Sequence, residues 1–563
     1  MRERSTIAKL IAVLMALVLV AAACGGDDDD GGDDATAGNE GGGGEGEAGG
    51  EFVDLGTFSS QPPQHIDPAL NIELDSYQVV NALYDGLTEV DFSDPENPEV
   101  KGLVAESFEP NEDATEWVFT IKEGLTFSDG EEVLPSSFVR GWERASDPDF
   151  AGTYSYLFSF IEGGQEKLDG EAETISGVTA DDEAMTLTVR LSAPYGNFAY
   201  VAGFQLFFPM PSAVDDLTDQ TEWENGLMIG NGPYKLVEPR NDQEIVLERN
   251  DEWGGDIFDN ERATLDQITF RISQDPDSAF NAFEAGDGDI ATIPSGRAAE
   301  LEDTYDTTSD LTLLATNYFE LNQEDPVIGG PDNKLLRQAI SQAIDRDEIN
   351  EAAYAGVRRN ATGIAPPGIP GYTEEGQCDY CESDVEAARD AFEQWEQEGG
   401  SLTGPLRIQH ESGVQLQADI VQIMIDNLRE VGIEAEAEPL DSETYYDQLE
   451  DGACQFCFSG WAADYPTYDN FLKDLFYSDS GFNHGRYNNP EFDRLVDEAT
   501  ATVDADEAQE LFREAERTLL NEDAGAVPLN FQSGDYVFNP DRVPDFAQQP
   551  NGLINYETIT VSD

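Results

Sequence analysis

An α/β (α+β) protein of more than one domain is the fold class this sequence predicts, and three observations carry that prediction. At 563 residues the chain exceeds one ordinary domain and can bury a large core. Helical stripes alternate with strand-like runs: Ile420, Val421, Ile425 and Leu428 give way at Gly432 to alternating Ile433, Ala435 and Ala437, an αβ unit from a mixed or parallel sheet. The 39% apolar and 10% aromatic content fits a folded body, because disordered chains of high charge lack aromatics.

Charge narrows the partners. With 117 acidic against 29 basic residues the net charge is -88, which excludes nucleic acid, whose phosphates need a basic footprint, and anionic membrane surfaces on the same ground. Most of the acidic residues lie beyond residue 50, so the folded body is itself acidic, repels its own kind and is expected to work as a soluble monomer. A salt-rich habitat would screen that repulsion.

In chain order, Arg2, Arg4 and Lys9 precede an apolar run from Leu10 to Ala23, which is too short to span a bilayer comfortably and predicts an export signal over residues 1–24. The run ends Val20-Ala21-Ala22-Ala23-Cys24-Gly25, which resembles the lipobox of bacterial lipoproteins, with Ala21 where Leu is the usual choice. That resemblance implies lipidation at Cys24 and an anchor in the membrane. Residues 25–51 are nearly all Gly, Asp, Glu and Ala, a flexible self-repelling tether.

The folded body begins near Phe52. Val79, Val80, Leu83 and Tyr84 have helical spacing within Tyr77 to Gly86. Trp117, Phe119 and Ile121 alternate over Thr115 to Ile121, and the short run after Glu123-Gly124 that ends in Ser128-Asp129-Gly130 completes a hairpin signature. Met185, Leu187, Val189 and Leu191 alternate likewise. Leu335, Leu336, Ala339, Ile340, Ala343 and Ile344 form a core helix that ends at Asp345-Arg346. Helices are expected over Tyr468 to Phe476, Pro490 to Ala499 and Asp506 to Leu520, and a strand over Ala526 to Phe531.

Chemistry concentrates in F-S-G-W-A-A-D-Y, Phe458 to Tyr465, where Asp464 sits between Trp461 and Tyr465 just beyond an apolar run. A carboxylate there lies at a strand end, where ligand crevices open in α/β sheets; the plainer alternative is a loop aspartate that caps the next helix.

Several segments recur in the order of a known family. A-E-S-F-E-P from Ala105, W-V-F-T-I-K-E-G-L-T-F-S-D-G from Trp117, G-N-G-P-Y-K-L from Gly230, N-K-L-L-R-Q-A-I-S-Q-A-I-D-R-D-E-I from Asn333 and I-A-P-P-G-I-P-G-Y from Ile364 resemble the oligopeptide- and dipeptide-binding proteins of ABC importers, solute-binding protein family 5. The resemblance covers nearly all of residues 52–545. It implies a two-lobed periplasmic-binding-protein-like fold (type 2, cluster C), with a first lobe of 52–84, 205–314 and 533–563, an added α+β domain at 85–204 and a second lobe of 315–532. It further implies a peptide ligand, an ABC permease as partner, no cofactor and no catalysis. Carried over to this chain, Asp464 pairs with the peptide α-ammonium, Gly460 and Ala462 offer main-chain groups, Trp461 walls a side-chain pocket beside Tyr465, and Ile72 to Leu74 makes main-chain contacts from the other lobe. Phe458 stands where oligopeptide binders often have Arg. Nickel complexes, glutathione, haem and oligosaccharides are alternative solutes of the family, and Asp464 favours peptides.

Cys378-x-x-Cys381 and Cys454-x-x-Cys457 have a spacing that suggests zinc, but an even number of cysteines in an exported chain favours disulfides, of open connectivity. His65, His410 and His484 are the only histidines, and none stands in a metal-ligand or nucleophile motif. An extracellular hydrolase is the competing class, since paired carboxylates are uninformative in so acidic a chain.

Overall fold

The computed structural model describes residues 49–562 apart from 96, 97, 227, 254–256, 259–262, 274, 295, 296, 302, 303 and 375; the export signal, Cys24 and nearly all of the tether lie outside the described residues. Apolar alternation in the described chain goes into four sheets. A mixed seven-stranded sheet runs in the order Asp306–Thr307, Tyr536–Phe538, Ile290–Thr292, Glu51–Asp54, Gln267–Arg271, Glu244–Arg249, Tyr234–Leu236. A mixed six-stranded sheet runs Arg359–Asn360, Ala526–Ser533, Thr312–Leu321, Phe456–Ala462, Leu406–Glu411, Ala435–Leu440. Four antiparallel strands between residues 105 and 190 form a third sheet, and Thr88–Asp91 pairs with Glu99–Gly102.

Each face of the six-stranded sheet is covered because alternate side chains point to opposite sides. Phe319, Phe456 and Phe458 pack with Leu336, Ile340, Ile420 and Leu428 on one face. Tyr318 packs with Phe471, Leu495 and Phe512 on the other. The αβ unit is as expected: Gln415–Glu430 is helical, Gly432 takes φ +94° to end it, and Ala435–Leu440 returns parallel to Leu406–Glu411.

Two charged residues of the segment from Asn333 have structural work. Buried Arg337 donates to the carbonyls of Ile328, Gly330, Asp523 and Ala524 and so pins two loops to the helix layer, while Arg346 donates to the Pro528 carbonyl and ties its helix to the strand Ala526–Ser533. Asp345 caps the following helix, accepting from the Glu348 amide at 3.0 Å.

Two expectations need correction. The strand Glu116–Ile121 pairs with Ala105–Pro110 and Thr186–Arg190, not with the run after Gly124. That run folds on itself instead: Val133 donates to the Leu125 carbonyl and Phe127 to that of Glu131 around the Ser128-Asp129-Gly130 turn. The two apolar runs were adjacent in sequence, but the sheet supplied Glu116–Ile121 with longer partners. The first helix spans Leu74–Leu83 rather than reaching Gly86, because Tyr84 is extended and Asn231 holds the backbone of Asp85 through two hydrogen bonds.

The chain passes between the seven- and six-stranded sheets in two neighbouring connections. Residues 308–311 lead into Thr312–Leu321 and residues 534–535 lead out of Ala526–Ser533, joined by Gly534 N–H to the Leu311 carbonyl and Thr308 N–H to the Tyr536 carbonyl. A cavity of about 670 Å³ lies between the sheets beside these connections.

Candidate functional site

The strand Phe456–Ala462 ends at this cavity. It pairs with Thr312–Leu321 along its whole length, but with Leu406–Glu411 only at Phe456 and Cys457. From Phe458 to Ala462 it therefore has a strand neighbour on one edge only among the described residues; the Phe458 carbonyl accepts from the Tyr445 hydroxyl, and the backbone groups beyond it are left for a further partner. Gly460 and Ala462 lie on this stretch and line the cavity.

Asp464 follows two residues later. Its Oδ1 accepts from the Tyr154 hydroxyl at 2.9 Å, its Oδ2 from Asn470 Nδ2 at 3.3 Å, and its backbone N–H donates to Asn470 Oδ1 at 3.1 Å. Among the described residues no basic group pairs with it. Burial in the cavity wall pushes its pKa up to about 6, and the Tyr154 and Asn470 hydrogen bonds pull the other way. The capping alternative does not hold: Thr467 is the N-cap residue of the helix Tyr468–Phe476, and Asp464 bonds a side chain one turn in.

Asn470, fully buried, is the residue that fixes this corner. Besides holding Asp464 it accepts from Trp461 Nε1 at 2.9 Å and donates to Asp474 at 3.0 Å. Trp461 stands edge-on to Phe482 at 5.2 Å, and Phe482 reaches Tyr156, so three aromatics make one wall. Tyr465 also lines the cavity, but its hydroxyl is committed to Asp474. Burial raises the Asp474 carboxyl well above its ordinary value, and the nearby Asp469 and Asp464 add to the shift.

Across the cavity, Ile72 and Leu74 line the facing wall, and Leu74 is 41% exposed there. The segment is not extended throughout: Glu73 is extended, and Leu74 opens a helix. Asp75, on the first turn of that helix, is pushed up to about 8 by burial and by Asp535, Glu73 and Asp54. The lining also carries Glu411 and Asp535, against a single basic residue among the described ones, Arg358. All seven expected site residues thus meet at one cavity. Sequence reasoning missed Tyr154, Asn470, Asp75, Phe482 and Arg358; only Asn470, six residues from Asp464, carried a local signal.

Phe458 lies in the apolar floor, edge-on to Phe319 at 5.3 Å, and brings no charge to the cavity. The four cysteines pair locally, Cys378 with Cys381 and Cys454 with Cys457, at Cα separations of 5.4 and 6.2 Å. The second pair closes immediately before and within the strand that ends at the cavity.

Comparison with known proteins gives this cavity its context. The profile of bacterial extracellular solute-binding proteins, family 5 Middle, matches residues 99–483. The dipeptide-binding protein DppE of Bacillus subtilis is 26% identical over 509 residues, which are 88% of this chain and 89% of that protein. The probable deoxycholate-binding periplasmic protein YgiS of Escherichia coli is 25% identical over 479 residues, 84% of this chain and 86% of that protein. Among solved structures, Haemophilus influenzae OppA in complex with RPPGFSPFR superposes with a TM-score of 0.68 at 25% identity, covering 92% of this chain and 99% of that one.

Proposed function

The chain belongs to the bacterial extracellular solute-binding proteins of family 5, and on that footing we propose that it captures peptides between two lobes and delivers them to the permease of an ABC importer. It is a binding receptor, not an enzyme. In this reading residues 52–84, 205–314 and 533–563 form one lobe, 85–204 an added domain and 315–532 the other lobe. Cys24 carries the lipid that holds the receptor at the outer face of the membrane, with residues 25–51 as its tether.

The observation that carries the reading is the half-buried carboxylate of Asp464, without a basic partner among the described residues, at the mouth of a strand with an open edge. A peptide α-ammonium supplies the missing charge, and the peptide main chain pairs with Gly460 and Ala462 while side chains meet the Trp461 wall. Closure turns on the two connections at 308–311 and 534–535. Because ligand contacts to both lobes exist only in the closed state, they favour it by that differential affinity. A bile salt, the class of solute named for YgiS, has no ammonium to meet Asp464, which favours peptides over it.

Mass spectrometry of whatever leaves the gently purified protein on denaturation tests this. Peptides with free amino termini are expected; recovery of sugars or bile salts alone would overturn the proposal.

A further inference from the structure

Tyr195-Gly196-Asn197, a loop outside the cavity lining, crosses from one body of the protein to another. The seven-stranded sheet and the segment 85–204 share one core, in which Phe52, Ile268 and Tyr556 cluster with Trp117, Phe119 and Leu187. The two faces of the six-stranded sheet have cores of their own. Three consecutive residues of the loop each reach across with a hydrogen bond. The Tyr195 hydroxyl and Asn197 Nδ2, the latter at 2.9 Å, donate to the two carboxylate oxygens of Asp469, and Gly196 N–H donates to the Thr500 carbonyl at 2.8 Å. Asp469 lies on the first turn of the helix Tyr468–Phe476 and Thr500 on the last turn of Pro490–Ala501, so the loop grips two helices at once.

Both halves of this contact are fixed in their own bodies. Tyr195 donates its N–H to the Ala114 carbonyl at 2.9 Å, accepts at its carbonyl from Trp117 Nε1 at 3.2 Å, and stands edge-on to Phe160 at 5.3 Å. Asp469 is 2% exposed, and both side-chain hydrogen bonds it makes among the described residues come from the loop. A buried carboxylate whose donors belong to the other body has them only while the two bodies are together; apart, it returns to water. The fit is close, since a Cβ on Gly196 would run into the Thr502 carbonyl oxygen. Phe92, also within 85–204, packs on the core of Tyr318, Phe471 and Leu495 and makes a second bridge.

We propose that the segment 85–204 is a clasp: Tyr195-Gly196-Asn197 closes on Asp469 and Thr500, holds the two lobes shut and so raises the affinity for every ligand by one common factor while touching none of them. The inference rests on the two-lobe reading above. Its bonds form only in the closed state and need no ligand, so they raise the population of the binding-competent state, and apparent affinity scales with that population. Asp469 also precedes Asn470, which holds Asp464, so one helical turn carries both the clasp and the support of the ligand carboxylate.

The test compares the native protein with Asn197→Asp, which sets a second carboxylate against Asp469, and with Tyr195→Phe, which removes one hydroxyl and keeps the ring. Solution scattering by the empty proteins reads closure, and calorimetric titration with a panel of tetrapeptides of different side chains reads affinity. Asn197→Asp should enlarge the radius of gyration of the empty protein and weaken every peptide by a common factor of about tenfold or more. Tyr195→Phe should act in the same direction by a smaller common factor, and it carries the test if Asn197→Asp fails to fold. A variant that melts earlier but keeps the native radius and the native affinities would overturn the clasp, because the loop would then be packing alone. Losses that differ from peptide to peptide would also overturn it, since the contact would then act through the ligand site. If the native protein binds no peptide, the peptide reading falls, and the scattering comparison still decides the clasp: a larger radius in Asn197→Asp upholds it and an unchanged one overturns it.

Discussion

Removing the charge of Asp464 is the most informative perturbation. Raising this carboxyl from its ordinary 3.8 to about 6 is worth about 3 kcal/mol of disfavoured ionisation, which the empty site carries at neutral pH. A peptide ammonium relieves it inside a cavity that excludes much of the solvent, and truncating one partner of such a pair costs about 2 to 5 kcal/mol. Asp464→Asn should therefore weaken peptide binding by about 30-fold to several thousand-fold. N-acetylation of the peptide deletes the same contact from the other side, so the two changes together should cost much less than their sum. The sign of the pH dependence follows. Because the free-state pKa is raised, binding must expel a proton as pH falls through about 6, so affinity should decline toward tenfold per pH unit below that value and be full above it. For folding, the raised carboxyl destabilises the empty protein above pH 6, and that penalty fades as pH falls through 6 toward 4. Other cavity carboxyls titrate too, Asp75 at about 8 among them, so the Asp464→Asn variant is the control that should lose the step near pH 6. Calorimetric titration of both proteins with free and acetylated peptides, over pH 5 to 8, measures all of this. Equal binding of free and acetylated peptides by the native protein would refute the reasoning whatever the variant does.

Further outcomes follow from the same geometry. Asn470→Ala removes bonds to Trp461, Asp464 and Asp474 from a fully buried position, and should lower stability by about 2 to 3 kcal/mol and peptide affinity by more than Tm loss explains, read by thermal melts beside calorimetry. Gly230→Ala would drive a Cβ into the Leu83 carbonyl oxygen, so a loss of about 1 to 3 kcal/mol or more is expected, with little change in ligand preference in whatever still folds. Alkylating the unfolded, unreduced protein should leave Cys378, Cys381, Cys454 and Cys457 unlabelled; four labelled thiols with bound zinc would establish the metal alternative. Replacing Cys24 by Ala should move the protein from the membrane fraction to the soluble one, and a variant that stays membrane-bound would refute lipid attachment.

Features with a local period or a local steric demand are legible in the chain alone. Helical stripes at Ile420 to Leu428 and Leu335 to Ile344, and the alternation at Trp117 to Ile121, are legible because burial on one face repeats every 3.6 or 2 residues. The glycines of G-N-G-P-Y are legible as a motif, although only the structure shows that Gly230 and Gly232 must admit the backbone at Leu83. Asp464 was legible because strand, aromatic and carboxylate fall within eight residues. Its partners were not all so: Tyr154 is 310 residues away, in T-Y-S-Y-L-F-S-F, which reads like any aromatic core segment. Arg358 is one basic residue among 29, and nothing in V-R-R-N tells it from Arg359, which pairs with Glu374 outside the cavity lining. Pairing of Glu116–Ile121 with Thr186–Arg190 rather than its sequence neighbour was likewise decided by the sheet. Contacts between distant segments leave no period in either one; only the packed chain brings a charge to a cavity and determines whether it finds a counter-charge there.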